Sequence, residues 1–457
     1  MNTPETPFLS LKNGYSNSRQ KWLVRLCLVC ILISAPGYTM KASEKATKKG
    51  LNLGGLPAVS YNSDEGFQYG AILNLFDYGD GERFPAYDYS AYLEASRFTK
   101  GSSLLRFYLD TEKLVPGIRS FLDISYIQED LLPFYGFNGF QTIYSTDRLA
   151  VNRTSYSMSM RQFRLMADFK GALMVDNLNW LLSYGFYHYT PNRVDYDKLN
   201  EGVLPSDPDY VAGPGLYEQY VSWGLIDGAE ANGGAVNALK VGLIYDSRNA
   251  MVNPDRGICT EALLELAPDF VNELPYTRYS LVHRQYHALV KNRLNLAIRV
   301  GAQGKLGANK IPFYRRTQLI SPFATRSNVS GLGGDNSLRG ILKNRLVGDG
   351  IAYSNIELRW RAINFDLLNQ HFYIGFNGFV DLGLITDAVD MDMNGISLAD
   401  RATFFDESAG QPLHTSVGGG LKLAMNENFV VSVDMGKALD KRDGEDLGVY
   451  IKINYLF

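Results

Sequence analysis

The chain has 457 residues, with 45 Lys and Arg against 48 Asp and Glu, and its formal charge of −3 at pH 7 gives no electrostatic case for a nucleic-acid partner. Three cysteines, Cys27, Cys30 and Cys259, exclude a disulfide framework. The 44 Gly, 29 Tyr and 24 Phe beside 20% charged residues suit a large exported β-protein or a transmembrane β-barrel, in which lipid-facing and water-facing residues average out.

The first element is a leader. Arg19, Lys21 and Arg25 precede and enter the apolar run "RLCLVCILIS", and a basic flank with a short apolar core predicts a secretory signal within residues 1–42. The core is too short to span a bilayer. Val29 stands before Cys30 where lipidation requires a small residue, so no lipid anchor is expected. Residues 43–52 are expected to form a short periplasmic segment, and no later run reaches the roughly 18 apolar residues of a spanning helix.

From residue 53 to 457 the pattern is alternation. In "RLNLAIRVGAQ", Leu294, Leu296, Ile298 and Val300 oppose Arg293, Asn295, Arg299 and Gly301. In "NFVVSVDMG", Phe429, Val431, Val433 and Met435 oppose Ser432 and Asp434. In the last segment, Val449, Ile451, Ile453, Tyr455 and Phe457 oppose Lys452 and Asn454. Successive strand residues face opposite ways, so each segment has one oily and one wet face. About sixteen such segments occur, each near the length that crosses a bilayer when tilted. Long connections at 130–157, 191–235, 305–350 and 386–413 follow odd-numbered strands, and most connections after even-numbered ones are short. That sorting predicts an all-β, antiparallel transmembrane barrel of about 16 strands, with both ends periplasmic and the long loops outside. Phe457 would then close the final strand as an assembly signal together with Tyr455.

Within the long connection 305–350, "GLGGDNSLRG" places Gly333, Gly334 and Arg339 in a polar loop with no helix after it, which disfavours a phosphate-binding use. With the following "ILKNRLVGDGIAYSNIELRW" it resembles the sixth extracellular loop of the BamA/TamA-type outer-membrane barrel superfamily, also called the bacterial surface antigen family. The hallmark Val-Arg-Gly-Phe corresponds to Leu338, Arg339, Gly340 and Ile341, keeping the arginine and glycine, and "IPFYRRTQLI" resembles the aromatic lead-in. A second hallmark, Phe-x-Asp-x-Gly, is present as Phe379, Asp381 and Gly383. "YDSRNAMVNPDRG", with Asp246, Arg248, Pro254 and Gly257, resembles the mid-barrel hairpin. The resemblance implies that the loop tucks into the lumen and that Arg339 meets Asp381. Alternation agrees in placing Phe372, Ile374, Phe376, Val380 and Leu382 toward lipid and Asp381 toward the lumen.

Members of this superfamily that assemble or secrete proteins usually carry periplasmic POTRA domains. With about ten residues between leader and first strand, no such domain is expected, a layout that resembles Bacteroidota-type members, and a periplasmic or surface lipoprotein partner is expected to supply that part. Gly54, Gly55 and Pro57 weaken the first strand, which has to close against the last, and predict a seam that opens sideways into lipid. The resemblance thus implies an outer-membrane barrel of a Gram-negative bacterium that aids insertion or export of outer-membrane or surface proteins. The competing readings are a barrel that conducts solutes or displays loops without insertase activity, and a lipid-handling barrel. No catalytic constellation is recognisable, and no cofactor or metal is expected. His283 and His287 in "LVHRQYHALV" stand four residues apart, about 13 Å on a strand, too far for one ion, and are expected on the lumen wall.

Overall fold

The computed structural model describes residues 47–63, 65–324, 331–367, 370–426 and 429–457. The leader over 1–42 and the start of the periplasmic segment lie outside the described residues. The rest is one antiparallel sheet closed on itself into a barrel of 16 strands.

Strand β1 comes in two pieces, Leu51–Pro57 and Ser60–Asn62, and both pair with β2 (Gly66–Asp77) in one continuous register, Leu51 opposite Asp77 and Asn62 opposite Gly66. The break falls just after Pro57, where no N–H exists to continue the ladder. Next come β3 (Tyr89–Phe98), β4 (Ser103–Val115), β5 (Ile118–Pro133), β6 (Ser157–Ala172), β7 (Leu178–Asn192) and β8 (Gly234–Asp246). The second half holds β9 (Gly257–Ala267), β10 (Tyr276–Val290), β11 (Leu294–Lys305), β12 (Gly350–Leu367), β13 (Gln370–Asp387), β14 (His414–Met425), β15 (Phe429–Ala438) and β16 (Gly448–Ile453). Each strand pairs with its chain neighbours, and β16 returns to β1.

The alternation sets the two faces. On β13, Tyr373, Asn377, Phe379 and Asp381 are buried inward while Phe376 and Val380 are exposed outward. On β12, Asn355, Glu357 and Arg359 point in and Ile356, Leu358 and Trp360 point out. The long connections lie at 134–156, 193–233, 306–349 and 388–413, and their described residues contribute buried side chains. Short helices such as Leu216–Ser222 carry Leu216, Tyr217 and Tyr220 into a cluster with Phe134, Phe137 and Phe313, with Phe405 beside them, so an apolar cap covers the lumen at the long-loop end.

Two expectations about orientation fail. The alternation of the last segment stops at Ile453: Asn454 takes the left-handed conformation (φ 72°), the chain leaves the wall, and Tyr455 and Phe457 turn into the lumen. On β10, Arg278, Ser280, Val282 and Tyr286 are the buried inward set, so His283 and His287 face outward beside Tyr279 and Leu281, not onto the lumen wall. That segment carries apolar residues on both parities, and the inward-facing Glu265–Arg278 and Glu261–Arg284 pairs mark which side is inside.

Candidate functional site

The site is built from the described parts of the connection after β11, residues 306–324 and 331–349, which carry buried side chains down inside the barrel. Arg339 is fully buried, and its guanidinium meets Asp381 on β13 through two bonds, Nε to Oδ2 at 3.0 Å and Nη2 to Oδ1 at 3.1 Å. Its backbone N–H also donates to Asp381 Oδ2 at 3.0 Å, so the carboxylate fixes both the side chain and the turn that carries it. Nη1 donates to Glu357 on β12 at 3.1 Å and lies 3.5 Å from Asp434 on β15. The guanidinium carbon sits 3.4 Å from the centroid of the Phe379 ring, a cation stacked on an aromatic face.

Charge is balanced locally. Glu357 also receives Arg359 (3.2 Å), and Asp434 receives Lys422 from β14 (2.6 Å). Three buried carboxylates therefore face three buried cations, the condition under which charges can be held away from bulk water. Asn355 bridges the set, donating to Asp381 Oδ1 at 2.8 Å and to the Ser337 carbonyl at 2.7 Å, and it receives Arg299 Nε at 2.7 Å.

The residues around Arg339 explain the motif's composition. Leu338 and Ile341 pack with Leu332, Leu346 and Ile385 in a small apolar core inside the lumen. Gly383 makes room for it: a Cβ there would lie 2.5 Å from Leu338. Gly340 has φ +90°, and a Cβ on it would fall 2.4 Å from the backbone of Gly436 and Lys437 on β15, so only glycine lets the loop lie directly on that strand. The Gly340 N–H donates to the Tyr450 hydroxyl on β16 at 3.0 Å. Gly333 and Gly334 close the loop on itself through the Ser337 hydroxyl (2.9 Å) and the Ile341 carbonyl (2.8 Å).

A second anchor, which sequence reasoning missed, lies in the lead-in. Arg315 is buried and grips Glu265 on β9 with Nη2 at 2.7 and 2.8 Å, while Nε reaches the Tyr276 hydroxyl at 2.9 Å. Arg278 shares Glu265 at 2.8 Å and donates to the Arg315 carbonyl at 2.7 Å. The signal was present in "IPFYRRTQLI", where two arginines stand in an aromatic stretch, but nothing local names their partner. Glu357 and Arg359 were likewise readable as charges at alternate positions opposite Ile356, Leu358 and Trp360.

The hairpin residues lie apart from Arg339, at the short-turn end. Asp246 takes Arg248 in a fork, Nε to Oδ1 at 2.9 Å and Nη2 to Oδ2 at 2.7 Å. Gly257 turns the chain into β9 with its Cβ position blocked by the Ser247 carbonyl at 2.4 Å, and the Pro254 carbonyl accepts from Asn295 at 2.9 Å. Asn253 crosses to the Tyr373 hydroxyl at 2.8 Å, which in turn meets the Tyr455 hydroxyl at 3.3 Å. Arg359 stacks over Tyr455 at 4.1 Å and donates to the Phe457 carbonyl at 2.8 Å.

The seam is narrow. Among the described residues β16 and β1 pair as Tyr450 with Asn62 and Ile451 with Tyr61, supplemented by Ser63 and Val449 bonding at 2.9 to 3.2 Å. The piece Leu51–Pro57, which holds Gly54 and Gly55, pairs with β2 alone. Its other edge meets no strand among the described residues, and Leu51, Leu53 and Leu56 are 73%, 67% and 54% exposed. Among the described residues no group of three His, Cys, Asp or Glu side chains converges as a metal site.

A closed antiparallel barrel with a loop pinned inside it by a buried arginine defines an outer-membrane-type barrel with an occluded lumen. The family model of the Omp85 superfamily domain matches residues 136–457, and the chain belongs to that superfamily. The fold resembles BamA from Haemophilus ducreyi lacking POTRA domains 1–3 (TM-score 0.55, 15% identity, covering 89% of this chain and 70% of that one). It also resembles CdiB from Escherichia coli (TM-score 0.53, 12% identity, 89% and 62% covered). No curated protein matches the sequence.

Proposed function

We propose that this barrel inserts or exports outer-membrane or surface proteins of a Gram-negative cell by parting β1 from β16. The observation that carries this reading is the seam, two residue pairs at one end and, among the described residues, an unpaired edge at the other. An unpaired strand edge offers N–H and C=O groups that hydrocarbon cannot satisfy and that an incoming strand can. β16 has six residues, fewer than the 9–11 or so that a tilted strand needs to cross, which leaves this side of the barrel short. Solute conduction is disfavoured by the apolar cap and by the loop anchored at Arg339, which together fill the lumen. In this reading Arg339 and Asp381 hold the plug, Gly54, Gly55 and Pro57 keep the first strand weakly paired, and Tyr455 and Phe457 serve assembly. The chemistry is non-covalent, with outer-membrane lipid as solvent and a periplasmic or surface lipoprotein supplying substrate reception.

The test locks the seam. Tyr61 and Ile451 are directly opposed, so Tyr61→Cys with Ile451→Cys forms a disulfide across it. Cells depleted of the native protein and complemented with this variant are profiled for outer-membrane and surface proteins. The oxidised form is expected to leave specific barrels or surface lipoproteins missing, and reductant to restore them. Full complementation by the locked form would rule out lateral opening, and altered permeability with an intact proteome would favour conduction.

A further inference from the structure

The outer face carries a second feature that the seam and plug do not use. Five strands set one row of outward residues side by side at the long-loop end: Arg97 opposite Ser103, Ser103 opposite Gln128, Gln128 opposite Arg161, and Arg161 opposite Thr190. One step toward the membrane the same strands present Ala95, Leu105, Tyr126 and Phe163, with His188 on the fifth, and the next step presents Leu93, Phe107, Ile124, Leu165 and Phe186. The apolar belt therefore ends directly beneath the two arginines. Three strand spacings separate those arginines, roughly 14 Å.

The row forms one wall of a notch of ≈ 430 Å³, whose other side is the loop segment Asn192–Leu199 together with the Thr99–Gly101 turn. The notch's cations differ in how they are used. Lys198 is paired with Asp130 at 3.0 Å, Lys100 donates to the Ser63 carbonyl at 2.7 Å, and Arg193 lies over the Tyr196 ring, 6.0 Å from its centroid. Asp130 also accepts from Gln128 at 2.7 Å. Arg97 and Arg161 have no hydrogen-bond or ion-pair partner among the described residues, though Arg97 lies within Coulombic reach of Asp130. Two exposed guanidiniums immediately above a lipid-facing belt, with no protein partner of their own among the described residues, are free to meet an anion at the level of the lipid headgroups.

The geometry points to a binding site for a phosphate-bearing lipid headgroup of the outer leaflet, with Arg97 and Arg161 holding the phosphate oxygens and the apolar rows beneath holding the acyl chains. The chemistry fits both components: guanidinium forks match phosphate bidentately, and Leu105, Tyr126 and Phe163 supply the apolar surface that a free anion has no use for.

The full chain in neutral detergent is titrated with dioleoyl phosphatidic acid and, separately, with dioleoyl phosphatidylcholine, and bound lipid is counted by native mass spectrometry. The wild type is expected to prefer phosphatidic acid, and Arg97→Gln with Arg161→Gln to weaken that binding at least about tenfold, the scale of one lost charge-assisted bond. Lys291→Gln with Arg293→Gln, at the opposite rim, is expected to change nothing. Heat-modifiable migration confirms that each variant is folded. Equal binding of the two lipids, an unchanged preference in the arginine variant, or the same loss in the opposite-rim variant would overturn the lipid site. Displacement of phosphatidic acid by equimolar inorganic phosphate would overturn it in favour of a free-anion site. Seam locking does not touch these residues, so the outcome is independent of the insertion reading.

Discussion

Tyr450 connects the plug to the seam: its hydroxyl accepts the Gly340 N–H at 3.0 Å from inside the lumen, while its backbone pairs with Asn62 across the closure. The loop cannot rise off β15 without breaking a bond to the strand that has the fewest partners. Tyr450→Phe keeps the ring and removes the acceptor, leaving a buried N–H unsatisfied at a cost of about 1–3 kcal/mol. The expected result is a lower denaturation midpoint together with faster amide exchange at residues 60–62 than at residues 118–129 of β5. Uniform acceleration around the whole barrel would mean that the bond stabilises the fold without linking loop and seam.

Arg339→Ala leaves Asp381, Glu357 and Asp434 in excess over Arg359 and Lys422 inside a closed site. Removing one partner of a buried ion pair costs roughly 3–5 kcal/mol, and equilibrium unfolding in detergent reads it directly. Arg339→Lys restores charge without the fork, so it is expected to recover part of the loss. Arg345 is no neutral comparison, since it is itself buried and donates to the Arg442 carbonyl at 2.9 Å and the Thr142 carbonyl at 3.1 Å. Exposed Lys310 is the suitable reference, with an expected effect near zero. A loss at Arg339→Ala no larger than at Lys310→Ala would remove the anchor role.

Glu265→Gln deprives Arg315 and Arg278 of their shared carboxylate at once. Because Arg315 holds the upper arm of the plug loop, the expected outcome is proteolytic cleavage within residues 306–324 at protease concentrations that leave the wild type intact. The Arg339 cluster lies on other strands, so the Tyr61–Ile451 disulfide should form at the wild-type rate. A change in both readouts would show that the two anchors act as one unit.

What the sequence made legible follows from periodicity. A strand with one lipid face repeats every two residues, so β11, β13 and β15 could be read with their facing correct, and Asp381 with them. Loop lengths sorted by parity separated the capped end of the barrel from the short-turn end. Period fails where a single backbone angle overrides it, as at Asn454, since nothing in "INYLF" distinguishes a left-handed asparagine from an extended one. It also fails where both parities are apolar, as around His283. Partnerships between distant elements, Arg315 with Glu265 or Tyr450 with Gly340, have no local signature, because either residue alone is an ordinary wall or loop residue. The folded cap at the long-loop end was missed for the same reason: Tyr217, Tyr220 and Phe134 become a core only once three loops meet.

The turn at Asn454 decides how much of the seam is paired. Tyr450 opposes Asn62 and Ile451 opposes Tyr61, so an extended tail in that register would set Tyr455 against Pro57 and Leu456 against Leu56. Pro57 offers no N–H there, and the tail instead finds Arg359, which takes the Phe457 carbonyl and the Tyr455 ring. Asn454→Val places a β-branched residue at φ 72°, where it is strained by about 1–3 kcal/mol, and extended backbone relieves that strain. The variant is expected to lengthen β16 along β1. Leu56→Cys with Leu456→Cys measures this, giving little disulfide in the wild-type background and substantially more with Asn454→Val. Equal yields in both backgrounds would show that Arg359, and not the left-handed turn, keeps the tail inside, in which case Arg359→Ala should produce the cross-link on its own.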